Sequence, residues 1–331
     1  MAAFRFSLMT HAAVESYRKH FSDWDSFAAV RIKPNTYRLD SEGLQKELHN
    51  KRWFIPQGIP LLSHPLLKNL SNEEVQYLMG RFLLQFLEYG VLMEHEYVNT
   101  ITAEIALGEC NFNIPEIMRL DGMRIYTDEG YHACFTLEAA QYVREYIGLP
   151  ATAWPLKNSR LEGMRKLISD APDNDQFLVR FGIVSISETV AAKELSESMR
   201  NIVVDPITNL FIDHAQDESK HCLYFSALLT VIWEQLSLEE KIKLGCYFPK
   251  ILKAFVNINV YPLYEALNEI GVRGESAETI VTESYPVTFS VKRALGVATK
   301  SFDLFKRLQI FKHQDIRKSF IEEGFPEEAL T

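Results

Sequence analysis

The chain has 331 residues, of which 47% are hydrophobic and 24% charged, the balance of a globular protein with a sizeable core. Its formal charge of −9, with both signs mixed throughout, argues against nucleic acid or an anionic membrane as the main partner, since both recruit clustered Lys and Arg. The first twenty or so residues contain no apolar signal region, and no window is long and uncharged enough to span a bilayer, so a cytoplasmic location without membrane contact is expected. Cys110, Cys134, Cys222 and Cys246 lie far apart and make no CxxC, which suggests neither a disulfide framework nor a zinc knuckle. Cys134 and Cys222, close to His132 and His221, read as small packing residues.

Residues 1–70 are broken by Pro34, Pro56, Pro60 and Pro65, and Trp24 and Trp53 supply bulk to anchor this stretch as an arm on something larger. Helical periodicity begins at Ser71, where Ser71 and Glu74 form a capping box, and continues to Gly108. A second long pattern covers about 114–147 and ends at Gly148 and Pro150, and a short one follows over 156–169. A third long pattern covers 174–199. Asp205-Pro206 supplies an N-cap and a first-turn proline for a fourth, over 207–236. Ser237 and Glu240 box the next start, with a run to about Ile270 kinked at Pro249 and Pro262 and closed by Gly271. The β-branched runs NIVV and ETIVT are isolated, and the tail from Glu283 predicts shorter helices, including 291–308 and 314–323.

The expectation is an all-α, ferritin-like bundle of long helices with peripheral helices and an N-terminal arm. It is read as one domain, with an arm (1–70) packed on a bundle core (71–272) and a helical C-terminal extension (273–331).

Chemistry concentrates in two pentapeptides, DEGYH at Asp128–His132 and DESKH at Asp217–His221. One Glu-x-x-His is weak evidence, but two copies, each preceded by Asp, call for a common cause. On a helix, Glu129 shares a face with His132 and Glu218 with His221, and His214, four residues before Glu218, joins the latter face. Burying such groups unpaired is costly, and a metal cluster would compensate them. Carboxylate-bridged metal pairs in helical bundles take Glu-x-x-His from two helices and one Glu from each of the other two. Glu188 is the only charge between Gly182 and Ala192, which makes it the candidate on the third long helix. On the first, Glu88, Glu94, Glu96 and Glu104 compete. Glu94 is favoured because it lies 35 residues before Glu129, with Glu96 as its main rival. Asp128 and Asp217 point about 100° away from the adjacent glutamates, so each is expected to hold a metal-bound imidazole on a neighbouring helix.

The segments TDEGYH, SISET and DHAQDESKH, following VLMEHEYVN in this order and spacing, resemble the p-aminobenzoate N-oxygenase family of ferritin-like diiron enzymes, and SHPLL at Ser63–Leu67 is similar to its pre-bundle segment. The resemblance spans roughly residues 60–270. Its most specific feature is His214, since a third histidine ahead of the last Glu-x-x-His separates this family from other diiron carboxylate proteins. It implies that Glu94, Glu129, His132, Glu188, His214, Glu218 and His221 hold two iron ions. It also implies a monooxygenase that uses O2 to take an amine to hydroxylamine, nitroso or nitro, in small-molecule biosynthesis.

No flavin or NAD fingerprint is visible, so electrons must come from an external donor such as a reductase or ferredoxin; a second copy of the chain is a further candidate partner. Positions three, four or seven residues from Glu94, Glu129 and Glu188 include no Arg or Lys, and Arg81, Arg124, Arg180 and Lys193 lie off those faces. A carboxylate-bearing substrate would need such a cation, so an aliphatic or carrier-borne amine is expected rather than p-aminobenzoate itself. The alternatives are a C–H hydroxylase, an iron-storage or iron-sensing protein, and a radical-bearing ribonucleotide reductase subunit using Tyr126 or Tyr131.

Overall fold

The computed structural model describes residues 17–18, 23–32, 37–151, 157–198 and 201–331. Pro34, Leu156 and Met199, which figure in the reading above, lie outside them.

Two single-turn helices, Trp24–Phe27 and Ala29–Ile32, begin the described arm. The arm then carries a helix the sequence did not announce, α1 (Ser41–Asn50), capped by Asp40 accepting from the Gly43 N–H. Its apolar face consists of only Leu44 and Leu48, one turn apart, too small a pattern to stand out among neighbouring prolines. Three 3₁₀ turns follow, each starting at a proline: Pro56–Gly58, Pro60–Ser63 and Pro65–Leu67.

The first long helix starts at the expected capping box and runs as α2 (Asn72–Met93), a π-helical turn (Glu94–Val98) and α3 (Asn99–Leu107). Gly108 ends it in the left-handed region, at φ 73°. After α4 (Glu116–Tyr146), α5 (Ser159–Ser169) and α6 (Gln176–Ser198), α7 spans Asp205–Gln235. Asp205 is the first residue of α7 rather than its N-cap. Its side chain pairs with Lys51, the C-cap of α1, and its N–H donates to Glu47 Oε2 of α1, so this first residue is tied to the arm rather than capping its own helix.

The run expected to reach Ile270 divides into α8 (Leu238–Val256) and α9 (Tyr261–Glu269). Pro249 is accommodated inside α8, whereas Pro262 sits in the first turn of α9, where its missing N–H costs nothing. The ETIVT run lies within α10 (Gly274–Ser284): Ala277, Ile280 and Val281 make one buried helical face, a period the β-branched composition had obscured. α11 (Phe289–Val297), α12 (Thr299–Arg307) and α13 (Gln314–Glu322) follow, with Ala298 dividing what the sequence presented as one segment, and a 3₁₀ turn (Glu327–Leu330) comes last. Among the described residues the only β-pairing is one bridge, Arg52 with Val203, the latter in the NIVV run.

The architecture is therefore all-α. α6 packs along α7 and α4 against α2 and α3, so the four long helices form a bundle around which the rest is wrapped. Gly122 lets α4 approach closely, since a Cβ there would meet the Tyr224 hydroxyl at 3.0 Å and the Thr102 carbonyl at 3.4 Å.

The buried apolar side chains form two clusters, and each long helix changes cluster part-way along: α2 and α3 between Leu87 and Tyr89, α4 between Ile125 and Phe135, α6 between Val190 and Leu195, α7 between Phe211 and Tyr224. The gap on α4 and α7 holds the two pentapeptides. A buried polar layer thus divides the core at mid-bundle, an arrangement that apolar packing alone would not produce.

Trp53 is fully buried in the arm-side cluster, as its anchoring role requires. Several apolar residues flanking the pentapeptides, namely Tyr126, Leu137, Ile212 and Leu223, instead face outward, because the bundle buries one stripe of α4 and α7 rather than the whole circumference. Cys134, too, is exposed rather than packed.

Candidate metal centre

Glu94, Glu129, His132, Glu188, His214, Glu218 and His221 are all buried and converge in this layer. One atom from each of Glu129, His132, Glu218 and His221 falls within a mutual 4.8 Å, and the same holds for Glu94, His132 and His214. Glu218 Oε1 is the hub, 3.1 Å from His214 Nε2 and 3.5 Å from the Nδ1 atoms of both His132 and His221. His221 Nδ1 lies 2.7 Å from Glu129 Oε1 and 3.7 Å from Glu188 Oε2, while His214 Nε2 lies 3.2 Å from Glu94 Oε1.

The competition on the first helix has a geometric outcome. Glu88 pairs with Arg144, Glu96 with Arg165 and Glu104 with Arg180, leaving Glu94 pointing inward beside His214. The π turn contributes to this by starting at Glu94, whose carbonyl accepts from the Asn99 N–H five residues on. One extra residue in the turn shifts the register of everything after it, and such turns frequently accompany functional sites.

Behind the imidazoles the pairing is reciprocal. His132 on α4 contacts Asp217 on α7 through Nε2 at 3.0 Å, and His221 on α7 contacts Asp128 on α4 at 3.3 Å. The arm then reaches both aspartates: the half-buried Trp24 donates its indole N–H to Asp128 at 2.9 Å, and the Ala29 N–H donates to Asp217 at 3.2 Å. Tyr17 and Tyr37 donate likewise to Asp121 and Asp213, so the arm is stitched across α4 and α7 by four buried aspartates. Sequence reasoning recognised Trp24 only as bulk, since nothing local marks its indole for Asp128, 104 residues away.

Electrostatics in the layer are those of crowded, dehydrated charges. Burial lowers the basicity of His132 and His221, but contacts of His132 with Asp217, Glu129 and Glu218, and of His221 with Glu218, Glu129 and Asp128, raise both well above the ordinary value. Burial together with the neighbouring Glu218 and Glu129 pushes Glu188 well above the usual carboxylate range, and burial raises Glu94. Glu218, although buried, is drawn well below it by His221, His132 and His214.

Most telling are the atoms without hydrogen bonds. Both oxygens of Glu129, one oxygen each of Glu94, Glu188 and Glu218, and the Nδ1 atoms of His132 and His221 are buried without a hydrogen-bond partner. Unpaired buried polar atoms are expensive, and here they are all donors of the kind that transition metals take, gathered at one place. The residues present therefore fit a pair of metal ions.

Beside Glu94 and Glu188 the layer borders a cavity of about 70 Å³ lined by Glu94, Glu188, His214 and Glu218 together with Tyr89, Met93, Phe211 and Thr136. The Tyr89 hydroxyl and Thr136 Oγ1 are buried and unpartnered. Thr136, seven residues after Glu129, lay on the face already identified by spacing; Tyr89 did not. Among the described residues no Arg or Lys lines this chamber. Arg81, Arg124 and Arg180 are engaged with Glu265 and Glu269, Asp121, and Glu104, and Lys193 donates to the Gly296 carbonyl. The helical-face argument did miss Arg160, which arrives from α5 and stacks on the Tyr89 ring with its guanidinium carbon 3.8 Å from the centroid.

A bundle of long helices enclosing a buried layer of carboxylates and imidazoles defines the class of helical proteins built to hold paired metals. Within that class, the chain belongs to the family described as P-aminobenzoate N-oxygenase AurF, whose model matches residues 40–295, roughly three quarters of the sequence. No curated protein matches the chain. Among the described residues no helix is long and apolar enough to cross a membrane.

Proposed function

We propose that the chain is a non-heme diiron N-oxygenase, with Glu94, Glu129, His132, Glu188, His214, Glu218 and His221 holding two iron ions. The observation that carries this reading is the concentration of unpartnered, buried metal-donor atoms in one layer of a chain belonging to an N-oxygenase family. Two irons held there supply the reduction of O2 and the transfer of one of its oxygen atoms. For the first oxidation level the balance is one amine, one O2, two electrons and two protons giving hydroxylamine and water, with the electrons supplied by an external one-electron or hydride-derived reductant.

The protein's own contribution is positional. Asp128 and Asp217 accept from the Nε2 side of His221 and His132, which leaves the Nδ1 lone pairs facing the layer. Phe135 packs edge-on against His214, its ring centroid 5.6 Å away, and with Phe211 keeps bulk water from this side. In the chamber, the Tyr89 and Thr136 hydroxyls are available to orient the amine.

The test is to load metal-free protein anaerobically with Fe(II), measure iron per chain, then admit ¹⁸O2 with a reductant and candidate amines. Two irons per chain and labelled oxygen on nitrogen are expected. Iron mineral without an oxygenated amine would favour storage, and label on carbon would favour a hydroxylase.

A further inference from the structure

Electrons for the proposed reaction come from outside, yet the residues of the carboxylate–imidazole layer are all buried, so a path must cross the shell around them. On the arm side the two pentapeptides are equivalent in sequence but not in surroundings. Asp217 Oδ2 meets His132 Nε2 at 3.0 Å and the Ala29 N–H at 3.2 Å, so its chain of contacts ends in a peptide group. Asp128 Oδ2 meets His221 Nε2 at 3.3 Å and the Trp24 indole N–H at 2.9 Å, so its chain ends in an aromatic ring.

Trp24 also differs from the other tryptophans among the described residues. Trp53 is fully buried with its indole N–H unpartnered, and Trp233 is packed in the apolar cluster farther from the arm. Trp24 is only half-buried, so part of it reaches the surface. Three ion pairs lie about it, Asp23 with Lys220 at 3.7 Å, Asp25 with Arg31 at 3.3 Å and Asp121 with Arg124 at 2.7 Å. These six charges cancel, so what singles Trp24 out is its chain of hydrogen bonds and not a local field. The chain is short: indole to carboxylate, carboxylate to imidazole, and the far nitrogen of that imidazole, His221 Nδ1, faces Glu129 at 2.7 Å and Glu218 at 3.5 Å. Two π systems joined by close polar contacts couple electronically better than saturated side chains or van der Waals gaps spanning the same distance.

We propose that electrons enter through Trp24, by way of Asp128 and His221, from a one-electron donor protein that touches the arm at the indole. Two donors each lose one electron and two Fe(III) become Fe(II), while Trp24, Asp128 and His221 serve as a bridge and end unchanged. The proposal rests on the paired-iron part of the reading above and not on the amine. It gives electrons and substrate separate entrances, one on the arm side and one at the chamber.

To test it, protein loaded with Fe(III) is mixed under argon with a reduced plant-type ferredoxin, a one-electron donor too large to enter the chamber, and the loss of ferric absorbance is followed by stopped flow. Trp24→Phe keeps a ring but loses the N–H, whereas Trp24→Gln offers Asp128 an N–H but no ring. Both should be reduced about 10–100-fold more slowly than the parent, with iron per chain and midpoint potential unchanged. Phe27→Ala, on the same turn but beside Lys220, should keep the parent rate. Either Trp24 variant reduced at the parent rate, equal slowing in Phe27→Ala, or a change in iron content or potential that accounts for the slowing would each overturn the proposal. Loading with Fe(II) bypasses the entry step, so one reaction with O2 and amine, run on the same proteins, reads the other assignment separately. Reduction that depends on Trp24 without N–O product would defeat the N-oxygenase reading alone, and N–O product with reduction indifferent to Trp24 would defeat the electron route alone.

Discussion

The two faces of the buried carboxylate–imidazole layer are built differently. Towards the arm, Asp128 and Asp217 each receive an imidazole from one direction and a donor from the arm, Trp24 or the Ala29 N–H, from the other. Towards the chamber, Glu94, Glu188, Tyr89 and Thr136 present atoms without a hydrogen-bond partner. Hydrogen bonds fix rotamers and tautomers, so the arm face holds geometry, while the chamber face keeps donors and acceptors uncommitted for something that must come and go.

The largest expected effect breaks the layer itself. Glu129→Ala removes a carboxylate with both oxygens turned on the layer, and iron per chain should fall below two, with metal affinity reduced by more than the ~100-fold typical of supporting residues. Iron analysis after gel filtration checks it; retention of two tightly held irons would remove Glu129 from the ligand set.

Next comes the arm face. Asp128→Ala and Asp217→Ala should each lower metal affinity by about 10–100-fold, read by competition with a chelator, while helical content is kept. An equal loss from Thr136→Val would erase the distinction between the faces.

Protons supply a third test. In the metal-free protein His132 and His221 have raised pKa values and hold protons near neutrality that a bound metal must displace, so loading should release protons into a weakly buffered indicator solution. The sign for stability follows. A folded pKa above the unfolded one gives stabilisation that is complete below the unfolded value, about 6.5 for His, and lost as pH rises through the folded value. Glu94 and Glu188, also raised, act in the same sense. The melting temperature of the metal-free protein should therefore decline on the alkaline side of neutrality, and that of the loaded protein much less. A metal-free melting temperature that climbs with alkalinity would contradict this charge distribution.

Smaller again is Trp24→Phe, which keeps the ring but withdraws one N–H from a buried carboxylate. A loss of about 1–3 kcal/mol in denaturant stability is expected. Smallest in stability is Tyr89→Phe: its hydroxyl has no partner, so the fold should be unaffected or slightly stabilised. Its effect should fall instead on kcat/KM for the amine, and a clear stability loss would show that the hydroxyl serves the scaffold.

Much of this was legible in the residues. The two Asp-Glu-x-x-His frames, His214 one turn earlier and Glu188 alone in an apolar run are local patterns, and a helix converts such spacing directly into a shared face. The capping box at Ser71 and the stop at Gly108 are local for the same reason. Less legible were α1 and α10, whose apolar faces are two and three residues wide, and the break between α8 and α9.

By itself the sequence determined the helices, their amphipathic faces and the residue types that call for metal, because these depend on neighbours within a turn or two. Only the tertiary structure decided that Glu94 rather than Glu96 points inward, that each aspartate serves the opposite helix, that Trp24 closes one side, and that Arg160 stands behind Tyr89 on the other. Those outcomes depend on which faces meet across the bundle, and residues far apart in sequence carry no spacing from which that meeting can be read.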